Sequence, residues 1–211
     1  MAKERLKSPR ARLFTALDLP EDIRGELEAW QTRECTDEAL RPVAAEALHV
    51  TLCFLGYKPE KAIDELAELI AGLETRPVPM RLERDTVGIK GRRPGLYAVD
   101  ASSEAAGELQ GELSEALESR RLYKPESRDF WPHVTVARVR TEKRPRGDSG
   151  RRGRGKPRIV ERPPGPLPEA LERPFGAVRV ALYRSHLRHS GAEYERLAAL
   201  ELPPATSGRE R

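Results

Sequence analysis

Cysteine is nearly absent: Cys35 and Cys53 are the only two in 211 residues. Two thiols cannot build a disulfide framework or a four-cysteine zinc site, so a reducing, cytoplasmic setting is expected. No run of about 18 apolar residues occurs, which excludes a membrane-spanning helix, and the mean hydropathy is −0.64. The opening Met-Ala-Lys-Glu-Arg-Leu-Lys is charged with no apolar stretch behind it, so a secretory signal is not expected. No glycine-rich phosphate loop follows any apolar strand, which argues against a doubly wound nucleotide-binding fold. No cluster of His, Cys and acids has metal-ligand spacing, His186 and His189 included, so no metal site is expected.

Charged residues, by contrast, make up 34% of the chain, with a net charge of +4. Between Arg140 and Arg158 nine basic residues face two acids, Glu142 and Asp148, so this segment carries +7 and the rest of the chain −3. Residues 141–168 are rich in Arg, Gly and Pro and lack an apolar period, which predicts a flexible basic loop with few core contacts. Such a loop can serve as a nucleic-acid arm or as a solvated linker.

Short apolar runs at Leu13–Leu19, Ala47–Leu55, Val78–Ile89, Leu96–Val99, Trp131–Val139 and Val178–Tyr183 read as strands, the second stopped by Gly56. Helices are predicted from Pro20 to about Glu34, from Pro59 to Glu74, and after a cap at Ser102 or Ser103. In the second of these, Ile63, Leu66, Ala67, Ile70 and Leu73 mark one buried face; in the third, Ala106, Leu109, Leu113 and Leu117 do. Strands and helices mix without strict alternation, which points to an α+β fold with mainly antiparallel sheets, and their order hints at two similar halves.

The informative feature is a repeated tetrapeptide. His49-Val50-Thr51-Leu52 and His133-Val134-Thr135-Val136 lie in two strand-like segments 84 positions apart. On a strand, positions i and i+2 share a face. Each copy therefore shows a histidine and a threonine on one face and two apolar residues on the other. Two such pairs around one cleft supply two imidazoles that can act as acid and base near neutral pH, and two hydroxyls that can donate to phosphate oxygens. One copy alone would be an ordinary strand; two copies use two of only four histidines. Strict alternation puts Cys53 on the face of His49, but roughly 13 Å away along the strand, too far for proton transfer. The same alternation turns Arg138 away from His133 unless the strand bulges. Phe14 and Tyr194 are candidates for stacking on a base, against a place in the core.

These residues resemble a known family. The pair His-x-Thr-Leu and His-x-Thr-Val is the signature of the 2H phosphoesterase superfamily. Arg12 to Pro20, His49 to Gly56 and Trp131 to Arg138 resemble its RNA 2′,3′-cyclic phosphodiesterase branch, also called bacterial and archaeal 2′-5′ RNA ligases. Tyr183 to Leu187 and Gly191 to Leu197 resemble that branch's closing elements. The resemblance implies one two-lobed, pseudo-symmetric α+β domain over 11–202, with loose termini at 1–10 and 203–211. Each lobe is then a small antiparallel sheet with helices on its outer face, and the active-site cleft lies between the lobes. It further implies metal- and cofactor-independent hydrolysis of RNA 2′,3′-cyclic phosphate ends, or of cyclic nucleotides, to 2′-phosphates. His49 is then the proton donor and His133 the acceptor, with Thr51, Thr135 and Arg138 holding the phosphate. The expected alternatives are 2′-5′ ligation or cleavage, and a non-catalytic RNA-end binder. A monomer without membrane contact is expected.

Overall fold

The computed structural model describes residues 9–89, 93–142, 155–187 and 192–205. Along the chain these form β1 (Arg10–Asp18), α1 (Glu21–Glu34), β2 (Leu40–Pro42), β3 (His49–Pro59), α2 (Ile63–Ala71), β4 (Pro79–Ile89) and β5 (Leu96–Ser102). They continue with α3 (Glu104–Ser119), β6 (His133–Val139), β7 (Phe175–Gly176), β8 (Arg179–Leu187) and β9 (Ala192–Glu201). None of these helices is long and apolar enough to cross a membrane.

Every recorded strand pairing is antiparallel. The strands run β7-β4-β5-β6-β3-β1-β8-β9, with β2 paired to β6. Two half-sheets, β4-β5-β6 and β3-β1-β8, meet at one registered pair, Val50 opposite Val134. Each half repeats a succession of strand, helix and motif strand: β1, α1, β3 in one and β5, α3, β6 in the other. The expected two-lobed, mainly antiparallel α+β architecture is therefore what the chain adopts.

The helices form where the apolar spacing places them. Pro20 precedes α1, whose first-turn acids Glu21 and Asp22 face the positive end of the helix dipole. Ser103 Oγ caps α3 by accepting the Ala106 N–H at 3.0 Å. Leu109, Leu113 and Leu117 of α3 are fully buried, each worth roughly 1.5–3 kcal/mol of transfer free energy. Helix α1 touches β6 and α3 touches β3, so each helix backs the motif strand of the other half. Val50, Leu52, Val134 and Val136 are buried in the core beneath them.

Three expectations are corrected. Gly56 does not stop β3: at φ 70° it lies in the left-handed region, and the strand continues to Pro59. Residues 143–154 of the expected basic loop lie outside the described residues, but its flank 155–168 is anchored. Leu167 is buried, and its N–H donates to Arg84 O at 2.7 Å. Trp30 Nε1–H donates to Pro166 O at 3.1 Å, and Thr86 Oγ1 to Pro164 O at 2.7 Å. Asp37 Oδ2 accepts the Glu161 and Arg162 N–H groups, each at 2.9 Å. Bonds from neighbouring elements hold this proline-rich stretch in place without any apolar period. Pro9, expected in the loose N-terminal arm, accepts the Glu60 N–H at 3.0 Å, and Arg10 opens β1.

Candidate active site

The site is built on the joint between the half-sheets. Antiparallel register about Val50 and Val134 sets His49 opposite Thr135, and Thr51 opposite His133. All four lie on the face opposite the buried valines, and all four are half-buried. The two motifs are thus brought together as a pseudo-twofold set.

Both imidazoles are fixed in the same way. His49 Nδ1–H donates to Ala47 O at 2.8 Å, and His133 Nδ1–H donates to Trp131 O at 2.8 Å. In each case the carbonyl two residues upstream holds Nδ1, leaving Nε2 as the working nitrogen. At His49 that nitrogen accepts from the Thr51 hydroxyl at 3.1 Å. Their surroundings differ. His133 stacks on Trp131 at 4.3 Å between centroids, and Trp131 Nε1–H donates to Asp100 Oδ2 at 2.8 Å. His49 stacks on Phe14 at 5.0 Å and meets Tyr194 edge-on at 5.3 Å. Desolvation lowers the His49 pKa to about 4; the positive charges of Arg138 and His133 push the same way, and the Ala47 carbonyl opposes them.

A bulge brings Arg138 to this face. In the β5–β6 register Tyr97 faces Ala137 but Ala98 faces Thr135, so Val136 is the extra residue. Val136 and Ala137 are consecutively buried, and Arg138 returns to the side of His133 and Thr135. The side chain of Gln31, only 2% exposed, donates to the carbonyl that the bulge leaves over on Val136, and the Val43 N–H does so at 2.9 Å.

The first motif carries the equivalent bulge. Thr15 faces Cys53 and Ala16 faces Thr51, so Leu52 is extra. The Cys53 N–H donates to buried Thr15 Oγ1 at 3.1 Å. This corrects the placement of Cys53, which is turned into the core, where burial pushes its thiol up to about 11. Phe54 instead takes the position that Arg138 holds in the second motif, and is 42% exposed. The Arg12 guanidinium lies 4.6 Å from its ring centroid.

Phe14 is 4% exposed and so offers no open face to a base; it backs the His49 ring. Tyr194 packs edge-on to Phe14 at 4.9 Å and lines the site. Phe54, Gln31 and Thr15 are the residues missed from sequence. Superposing His-Val-Thr-Leu-Cys-Phe on His-Val-Thr-Val-Ala-Arg, which aligns Phe54 with Arg138, was the available signal for the first.

Two adjoining cavities open on this face. One, of about 450 Å³, is lined by His49, Thr51, Thr135 and Arg138, with Arg12 and Arg41 and, among the described residues, no acid. The other, of about 640 Å³, is lined by His133 and reaches the first through Thr51 and Phe54. Among the described residues no three His, Cys, Asp or Glu side chains gather as metal ligands. The set offers two anchored imidazoles, two hydroxyls and a guanidinium across two adjoining cavities at one strand joint, a group of side chains that suits proton transfer at a phosphodiester.

The sequence pattern of the 2′-5′ RNA ligase superfamily matches residues 19–147. The chain is similar to the RNA 2′,3′-cyclic phosphodiesterase of Escherichia coli, 34% identical over 137 residues, covering 62% of this chain and 73% of that protein. The protein of the same name from Thermus thermophilus is 31% identical over 134 residues, covering 60% and 68%. A solved structure from T. thermophilus superposes with a TM-score of 0.71 at 27% identity, over 90% of this chain and 97% of that one. The fold also matches E. coli LigT solved with 3′-AMP, with a TM-score of 0.67 at 23% identity, over 92% and 99%. The resemblance carried by the paired motifs is borne out, and the chain belongs to the 2′-5′ RNA ligase superfamily.

Proposed function

We propose that this protein hydrolyses 2′,3′-cyclic phosphate ends of RNA to 2′-phosphates by metal-independent catalysis on two histidines. The carrying observation is the joint itself: one registered pair gathers both motifs, and matching Nδ1 bonds present two Nε2 atoms. Two relatives that bear the name of this activity, at 34% and 31% identity, support the substrate class.

In this reading His133 Nε2 takes a proton from water as its oxygen attacks phosphorus. His49 Nε2–H gives a proton to the 3′-oxygen as the P–O3′ bond breaks. Thr51 and Thr135 donate to the non-bridging oxygens, and Arg138 balances the charge that grows there. Before substrate binds, desolvation, with the positive charge of Arg138 acting the same way, holds His49 neutral. An anionic phosphodiester between the rings favours the imidazolium, so substrate binding draws onto His49 the proton that the leaving oxygen needs. Two free cysteines suit a protein of the reducing cytoplasm.

The test is incubation with a 2′,3′-cyclic nucleotide, with and without a chelator. The expected product is the 2′-phosphate at equal rates in both. Affinity without turnover would replace this reading with RNA-end binding, and loss of turnover with chelator would remove its metal independence.

A further inference from the structure

The two motif histidines sit in halves of one design, yet the proposed chemistry gives them opposite tasks. We infer that Asp100, acting through the ring of Trp131, is the positioning residue that makes His133 the base of the pair. The inference rests on the hydrolysis proposed above.

The duplication reaches beyond the two tetrapeptides. Ala16-Leu17-Asp18 lies in β1 and Ala98-Val99-Asp100 in β5, each shortly before a helix. Asp18 is registered opposite His49, and Asp100 opposite His133. Directly opposed residues share a face, so each half sets one carboxylate on the face of its histidine.

The halves use this carboxylate differently. Asp18 Oδ1 accepts the Tyr183 hydroxyl at 2.7 Å, and its Oδ2 lies 3.7 Å from the Arg179 guanidinium. Its charge is balanced by Arg179, and the ring bonded to it lies 6.4 Å from His49. Asp100 Oδ2 accepts the Trp131 Nε1–H at 2.8 Å, and among the described residues it has no ion pair. The ring bonded to it stacks directly on His133, at 4.3 Å between centroids and 18° between planes.

Trp131 therefore grips His133 at two points. Its carbonyl accepts the Nδ1–H at 2.8 Å, which fixes the tautomer, and its indole covers one face of the imidazole. The face of an indole is negative and attracts a cation. A carboxylate on the indole N–H polarises the ring further in the same sense. The gain exists only when His133 carries its second proton, the state it enters on taking a proton from water. Asp100 thus favours the outcome of the base's own step. At His49 the surroundings favour the neutral ring, so that, once protonated, it gives its proton up readily.

The other charged groups around His133 are Arg138 on its own strand, His49 on β3, Glu126, Arg128 and Asp129 before β6, and Glu115 and Glu118 on α3. A substitution at Asp100 changes none of them.

The experiment follows the His133 ring resonances of the full chain by NMR against pH, assigned with His133→Ala, together with kcat and KM for a 2′,3′-cyclic nucleotide. Asp100→Asn keeps an acceptor for the indole and removes the charge. It should lower the His133 midpoint by about 0.5–1 pH unit, within the usual worth of a cation on an indole. It should also lower kcat about tenfold, with KM close to that of the parent. Trp131→Phe keeps a ring on His133 without the bond to Asp100, and should move the midpoint the same way. Asp18→Asn should leave it in place. A midpoint unmoved by Asp100→Asn or by Trp131→Phe, or moved equally by Asp18→Asn, would overturn the inference and leave the hydrolytic reading standing. So would an unchanged kcat in Asp100→Asn. A parent that does not hydrolyse the nucleotide would overturn the hydrolytic reading, and with it the task of base, whatever the titration shows.

Discussion

Acidification probes the environment of His49 through stability. Desolvation in the nest of Phe14, Tyr183 and Tyr194, with positive charge from Arg138 and His133, lowers its pKa from 6.5 to about 4. Unfolding returns the ring to an ordinary value near 6.5. Between these values the unfolded chain binds a proton that the folded one does not. The stability is therefore full above about pH 6.5 and is lost as pH falls towards 4. At about 1.4 kcal/mol per pKa unit the whole shift is worth at most about 3.5 kcal/mol, with about 2.5 kcal/mol lost by about pH 4.5. Carboxylates titrate in the same range. Glu26 is held low by its bond to Arg173, and Asp37 by backbone bonds from Arg162 and Ala39. The comparison that isolates His49 is with His49→Asn, whose amide keeps a donor towards Ala47 O. Urea unfolding from about pH 7.5 to about pH 4.5 should show the parent losing about 1.5–2.5 kcal/mol more than the variant. Parallel losses would refute the desolvated histidine.

Arg138→Ala should lower kcat about 10²-fold or more, as loss of one charge-stabilising donor does, measured by steady-state turnover; an unchanged kcat would return Arg138 to an ordinary surface role. Phe54→Ala should raise KM for a cyclic nucleotide by about tenfold, within the usual worth of one base stacked on an aromatic ring, and Phe54→Trp should restore it. Gln31→Leu removes a buried donor from the Val136 bulge and should cost about 1–3 kcal/mol in denaturant unfolding. It should also lower kcat, because the bulge aims Arg138.

The helices and the motif strands were legible because an amphipathic face and a period of two leave direct marks in sequence. Ser103 as a cap and Leu109, Leu113 and Leu117 as a buried stripe follow from local rules alone. What those rules misplace is Cys53, and what they leave open is Arg138, for one shared reason. A bulge adds one residue and reverses every facing beyond it, and nothing local in Leu52-Cys53 or Val136-Ala137 announces it. The side chains that satisfy the bulges, Thr15 and Gln31, come from distant positions. The segment 155–168 escaped for a related reason: its anchors are Pro164, Pro166 and Leu167, held by bonds from Thr86, Trp30 and Arg84. The strands β2 and β7, of three and two residues, are too short to carry a period.

The central claim is that His49 and His133 act as one acid–base pair on a cyclic phosphate. The most direct measurement is the single-turnover rate of 2′,3′-cyclic nucleotide opening for the parent, His49→Ala, His133→Ala and the double variant. Each single substitution should cost roughly 10²–10⁴-fold, and the double variant should be little worse than either, because the two groups act as a unit. A single variant that opens the ring at the parent rate would contradict the account.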